Sequence, residues 1–208
     1  MPRTPLVAVF AALVFALVAV EALAVSQPSI EAQPVPGKAE PKVRLPGQRE
    51  FRLLTRAEKL PPRTAIDVTG QAAIELVSPT GGVMTFSGLR PGGSSKPDGV
   101  SSIFIYEGIA GGFVQVALSG GDFSLSRRFT GKPAATKPAR RLWGSGRGHF
   151  STIGRYAAAS DRGTIWEMSD YTNGSLCVVK EGAVSVHDLV RHTTILVRTG
   201  QSYFARKG

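Results

Sequence analysis

Three histidines, His149, His187 and His192, and one cysteine, Cys177, are the side chains best suited to nucleophilic, acid–base or metal chemistry in this sequence. His187 and His192 are five residues apart, which matches none of the Cys/His spacings that hold zinc, and Cys177 has no second thiol to join. In the run Leu176-Cys177-Val178-Val179 the thiol reads as a buried small hydrophobe. His187-Asp188 has the chemistry of an oriented general base. Gly144-Ser145-Gly146 sets a serine between glycines, but without the strand-to-helix setting of a nucleophile elbow, so a Ser/His/Asp hydrolase would have to assemble from distant segments. Asp161, Glu167 and Asp170 lie near one turn, where surface solvation accounts for them more simply than paired-carboxylate catalysis. Gly81-Gly82, Gly92-Gly93 and Gly111-Gly112 lack the Lys-Ser/Thr and the helix that make a glycine loop bind phosphate. No catalytic site, metal site or cofactor is expected.

The stronger chemical signal is charge. The net charge is +10, and Arg127, Arg128, Lys132, Lys137, Arg140, Arg141, Arg147 and Arg155 follow one another without an intervening Asp or Glu. Such a run in an exported chain points to an anionic cell-surface polymer, acidic lipid headgroups or an acidic protein. A solvated loop that aids solubility is the plain alternative. Phe129, Trp143 and Phe150 are too few, and follow no module pattern, to make a stacking platform, so nucleic acid is not expected.

Export is expected from the N-terminus: Arg3, the uncharged apolar run Leu6 to Val20, and Ala22-Leu23-Ala24 as a small-x-small cleavage site. Cleavage after Ala24 would leave no integral span; an uncleaved run would be an N-terminal anchor, against which Glu21 argues. The expected location is secreted, periplasmic or cell-surface. A single cysteine means that no internal disulfide staples the fold there.

Residues 25–47, with Pro28, Pro34, Pro36, Pro41 and Pro46, read as a disordered, semi-extended linker. Arg49 to Leu60 could form a short helix or a leading strand. Beyond Pro62 the apolar period is two, with short strands bounded by Gly, Pro, Ser and Asp-Gly, which predicts an all-β fold, an antiparallel sandwich or solenoid. An N-terminal β-unit (48–130), including strands at Val83 to Leu89 and Phe123 to Leu125, and a C-terminal one (141–208), starting its strands at His149, flank a loop over 131–140; the two units could form one domain. Asn173-Gly174 is the strongest hairpin signal and, with Ser175, also a glycosylation sequon, of which the turn reading is preferred. Arg63 to Val68 faintly echoes Arg162 to Met168.

Arg162-Gly163-Thr164 before an aromatic-bearing strand with Trp166, the strand, turn and strand around Glu181-Gly182, and Val197 through Gly200-Gln201 form an ordered series over the last third of the chain. This series resembles the FecR-type domain, the extracytoplasmic β-domain of iron-dicitrate sensor regulators that also occurs in other exported bacterial proteins. The resemblance implies a FecR-type fold and an extracytoplasmic role in binding or signalling. Met1 to Pro5 are too few to hold a sigma factor, so that part of the family's role is not expected. Independently of the resemblance, Gly163 and Gly182 suit chain reversals, and Trp166 suits a core anchor. Arg162 is expected to satisfy turn carbonyls.

The reading is therefore an exported, non-catalytic binding module whose Arg127, Arg128, Lys137, Arg140, Arg141, Arg147 and Arg155 contact an anionic polymer or protein. A scaffolding protein of the cell envelope and a cryptic hydrolase are its alternatives.

Overall fold

Period-two burial begins at Ile30, well before the segment where the sequence displays it openly. The computed structural model describes residues 28–93, 96–124, 126, 128–131, 137–161 and 163–208, so the export segment, Arg127, Lys132 and Arg162 lie outside the described residues. Among the described residues there is no helix. The strands, in chain order, are β1 (Ile30–Pro34), β2 (Lys42–Arg44), β3 (Arg52–Leu53), β4 (Glu58–Leu60), β5 (Thr64–Asp67), β6 (Ala73–Val77), β7 (Val83–Ser87), β8 (Ile103–Ala110) and β9 (Phe113–Ser119). They continue with β10 (Arg140–Arg147), β11 (Phe150–Ile153), β12 (Ala157–Asp161), β13 (Thr164–Tyr171), β14 (Gly174–Glu181), β15 (Ala183–Asp188), β16 (Thr193–Arg198) and β17 (Ser202–Arg206).

These strands form two facing sheets. One runs β4-β1-β6-β7-β10-β13-β14-β17, the other β3-β2-β5-β8-β9-β11-β12-β15-β16. Past β5 the chain order advances steadily along both sheets, because each hairpin or single strand is laid beside the one before it and the next is laid in the opposite sheet. The sandwich thus grows from one edge like a solenoid. All strand pairings are antiparallel except β9 with β11.

The sheets run unbroken across the two strand sets, joined by β7–β10 in one layer and β9–β11 in the other. A single apolar cluster extends from Ile30 to Ala205, with Phe86 against Phe104 and Phe150 and with Trp166 fully buried. Burying such large side chains is the dominant favourable term in the fold.

Two expectations are corrected here, and one that the sequence left open is decided. Residues 25–47 are not a disordered linker throughout: Ile30, Ala32 and Val43 are fully buried on β1 and β2, and the prolines sit at strand ends or between strands, where no ladder N–H is needed. The 131–140 division does not separate two cores, since β10 starts at Arg140 and is a central strand. Phe123 belongs to a turn rather than a strand, and Leu125 lies outside the described residues. In addition, Arg49 to Leu60 forms the short strands β3 and β4.

The two ends of the sandwich differ. At the end holding Arg147, the chain passes between sheets through tight crossings at Gly148, Gly163, Gly182 and Gly200, all at positive φ. A Cβ on Gly182 would stand 2.4 Å from Thr164 Cγ2 and 2.9 Å from Gly163 O, so neighbouring crossings stack against each other. At the end holding Arg155 two crossings are long, residues 88–102 and 120–139, beside short ones at residues 54–57 and 68–72. Long irregular segments on a rigid scaffold are where binding groups usually reside.

Candidate functional site

The predicted basic residues separate along β10. Arg140 pairs with Asp170 and Arg147 with Val83 across the ladders, so the two arginines stand at opposite ends of an eight-residue strand. At the usual strand rise that is roughly 25 Å. Arg147 is isolated there from Arg128, Arg140 and Arg155.

Arg140 and Arg155 meet around an aromatic ring and a buried carboxylate. Phe123 lies between them, with the Arg140 and Arg155 guanidinium carbons 5.5 and 5.1 Å from its centroid. Arg140 Nε donates to Asp170 Oδ2 at 2.7 Å, and the Arg155 backbone N–H donates to Oδ1 and Oδ2 at 3.0 and 3.1 Å. The Ser175 hydroxyl donates to Asp170 Oδ1 and accepts the Tyr156 N–H. Asp170 is 0 % exposed, and this partner set keeps its charge tolerable there. Arg140 is therefore mostly structural, whereas the exposed Arg155 side chain is presented to solvent.

Arg141 is turned to the outer face of its sheet and held there. It donates to Asp98 Oδ2 at 2.6 Å and to Gly88 O at 3.1 Å, tying down the 88–102 crossing. Beside it Glu167 accepts the Ser169 hydroxyl; burial pushes the Glu167 carboxyl above its ordinary range, against the opposing pull of that hydrogen bond and of Arg141 and Lys180.

Arg128 joins two cations that the sequence reading missed. It lines an open cleft of about 500 Å³ with Arg206, Lys207, Thr172, Asn173 and Gly208. The cleft is built by strand ends: β13 and β14 turn at Thr172-Asn173, and β17 finishes beside them because Gly174 pairs with Arg206. The Asn173 amide holds the wall, accepting from Phe129 N–H at 2.8 Å and donating to Phe129 O at 3.1 Å. Phe129 in turn packs on Tyr171 and Phe204. Arg128, Arg206 and Lys207 are all exposed. A smaller cleft of about 270 Å³ opens at the same end, with Lys38 and Arg90 and the hydroxyls of Thr85 and Ser87 in its lining.

Two carboxylates near this end are sunk. Asp188, like Asp170, is 0 % exposed. Its Oδ1 accepts the N–H groups of Val190 and Arg191, both at 2.9 Å, and its Oδ2 accepts Tyr203 Oη–H at 2.7 Å. Burial works to raise its pKa, but these hydrogen bonds and the Arg191 charge outweigh it and hold the carboxyl below its usual range. Asp122 is exposed and accepts from the Ser124 N–H and hydroxyl within its own turn. The charged side chains lining the larger cleft are thus all cationic. Lys137 is exposed on the 120–139 crossing, beside Gly99.

The residues with catalytic chemistry are dispersed. His187 Nδ1 lies 3.1 Å from Thr194 Oγ1, while Asp188 faces the interior, since adjacent strand residues point to opposite faces. His149 stacks on Phe113. Gly144 and Gly146 sit in mid-strand, Gly144 beneath the Trp166 ring. Cys177 is fully buried, and burial pushes its thiol up, away from the reactive thiolate. Among the described residues no group of three or more His, Cys, Asp or Glu is placed to hold a metal ion, and no helix is long and apolar enough to cross a membrane.

Of the family-like residues, Thr164 opens β13 and Trp166 is the buried anchor expected of it, while Gly163, Gly182 and Gly200 make the crossings. No protein-family model matches the chain, and neither a curated protein nor a solved structure matches it.

Proposed function

We propose that this chain is an exported, non-catalytic binding module of FecR-like build whose Arg155 end takes an anionic polymer or protein of the cell envelope. The observation that carries the binding role is the gathering of Arg128, Arg206 and Lys207 around one cleft, with Arg155 at the same end and with Asp170 and Asp188 fully buried. The FecR-like build is supported by the ordered recurrence of Gly163, Gly182 and Gly200 as successive sheet-to-sheet crossings around the Trp166 strand. Export is supported by the basic, apolar and small-x-small order of residues 1–24.

The chemistry asked of such a site is recognition alone. Guanidinium and ammonium groups supply long-range attraction and charge-assisted hydrogen bonds to oxyanions, and exposed charges act through solvent that salt can screen. Affinity for a soluble polyanion such as dextran sulfate should therefore fall steadily as sodium chloride is raised. An affinity indifferent to salt, or no binding at low salt, would leave a scaffolding role in its place.

A further inference from the structure

We infer that the anionic partner of the Arg155 end is an acidic lipid bilayer, entered by the tip of the β15–β16 hairpin while the surrounding cations lie on the headgroups; this rests on the cationic binding surface proposed above and puts acidic lipid in the place of a polymer or protein. The tip is Leu189 to His192, between the paired Asp188 and Thr193. Leu189 and Val190 are each 38 % exposed, and they are the one adjacent pair among the large exposed apolar side chains of the described residues. Single apolar residues on a surface are ordinary. A consecutive pair at a hairpin tip, ringed by cations, has the composition of an interfacial anchor.

The ring is set by contacts. Leu189 N–H donates to Tyr156 O at 3.0 Å, which seats the tip beside the Arg155 turn. A Cβ on Gly208 would lie 3.2 Å from Val190 Cγ1, which sets the other flank against the strand end bearing Arg206 and Lys207. Arg191 follows in the chain, with its side chain 53 % exposed. The tip is also rigid, because Asp188 accepts the N–H groups of both Val190 and Arg191 and is itself fixed by Tyr203. A preformed wedge loses little conformational freedom on insertion. A polyanionic chain in water offers two aliphatic side chains nothing to enter, whereas the boundary between headgroups and acyl chains receives them together with the cations.

The full-length protein is titrated with phosphatidylcholine vesicles, with the same vesicles doped with phosphatidylglycerol, and with dextran sulfate. Arg3 beside the apolar run Leu6 to Val20 adds an attraction to acidic lipid of its own, which the wild type and the variants share, so the contrast between them reports the hairpin tip. Acidic vesicles should be bound at least about tenfold more tightly than neutral ones, a modest demand on several cations at an acidic surface. Leu189→Ser with Val190→Ser should lose about tenfold on acidic vesicles and leave dextran sulfate binding unchanged. As a second readout, the emission of Val190→Trp should shift to the blue on acidic vesicles and not with dextran sulfate. Undiminished vesicle binding by the double serine variant, or an unshifted tryptophan, overturns the bilayer and leaves a polymer as the partner. Wild-type protein that neither prefers acidic vesicles nor binds dextran sulfate overturns the anionic-partner reading as well.

Discussion

The two ends of the sandwich solve different problems with the same strands. At the Arg147 end the crossings are short and glycine-built, and charges of both signs are exposed or paired there, as in the Arg63–Glu107 bridge at 3.1 Å. At the Arg155 end two crossings are long, Asp170 and Asp188 are buried, and Arg128, Arg155, Arg206 and Lys207 face solvent. Sinking the acids does two jobs there: each carboxylate organises backbone N–H groups and an arginine, and each is withdrawn from the surface field. One end is built for closure, the other for presentation.

The largest expected effect tests that double role. Asp170→Ala leaves Arg140 without its carboxylate and the Arg155 and Ser175 donors without an acceptor, and should cost about 3–5 kcal/mol in a denaturant titration. A loss under about 1 kcal/mol would mean that the buried carboxylate does not organise this end.

At the closed end, two glycines can be set against each other. Gly182 and Gly200 have φ of 80° and 78°, but a Cβ meets Thr164 at Gly182 and open space at Gly200. Gly200→Ala should cost about 1–2 kcal/mol, the strain of the left-handed conformation alone. Gly182→Ala should cost measurably more, because the clash adds to the same strain. Equal losses at both positions would show that the stacking of adjacent crossings carries no energy.

Much of this organisation was legible in the residues. The alternation in β8, with Phe104 and Tyr106 inward, and that in β15, with Val184 and Val186 inward, follows directly from period two. β10 was not legible as a strand because its inward positions include Gly144, whose place in the core is filled by the Trp166 ring from β13. No one-dimensional pattern shows an apolar side chain supplied by a neighbour. β1 was hidden for a simpler reason, since Ile30 and Ala32 are two buried residues among prolines.

The hairpin signal at Asn173-Gly174 located the turn but misplaced its residues. The loop is Thr172-Asn173, and Gly174 is already in β14, where a Cβ would lie 2.4 Å from Ala205 O. Its glycine serves close approach rather than a left-handed turn, and the Asn173 amide grips Phe129, which leaves it in a structural contact rather than free as a sequon. Of the site itself, the basic stretch named Arg128 and Arg155, yet it also named Arg140 and Arg141, which are drawn into ion pairs. Arg206 and Lys207 close the sequence in plain view, but strand register alone brings them to Arg128.

A smaller, pH-dependent effect sharpens the outer face between the two ends. Because the Glu167 carboxyl is raised in the folded state, the native protein holds its proton more tightly than the unfolded chain does. Its linked stability is fully present below the ordinary carboxylate pKa and is lost as pH rises through the folded value. Glu167→Gln removes that loss. The variant should melt above the wild type at about pH 8 and converge with it near pH 4. A difference that does not change with pH would mean that the Arg141 and Ser169 contacts, not the titration, decide the outcome.

The claim that one end does the binding is tested most directly by neutralising the two ends separately. Arg128→Gln with Arg206→Gln and Lys207→Gln should weaken dextran sulfate binding at low salt by at least about tenfold, since attraction at a cationic surface falls with the charges that create it. Arg147→Gln with Arg198→Gln, at the other end, should leave it within about twofold on the same argument. Equal losses from the two variants, or a larger loss from the second, would contradict the assignment of the binding surface to the Arg155 end.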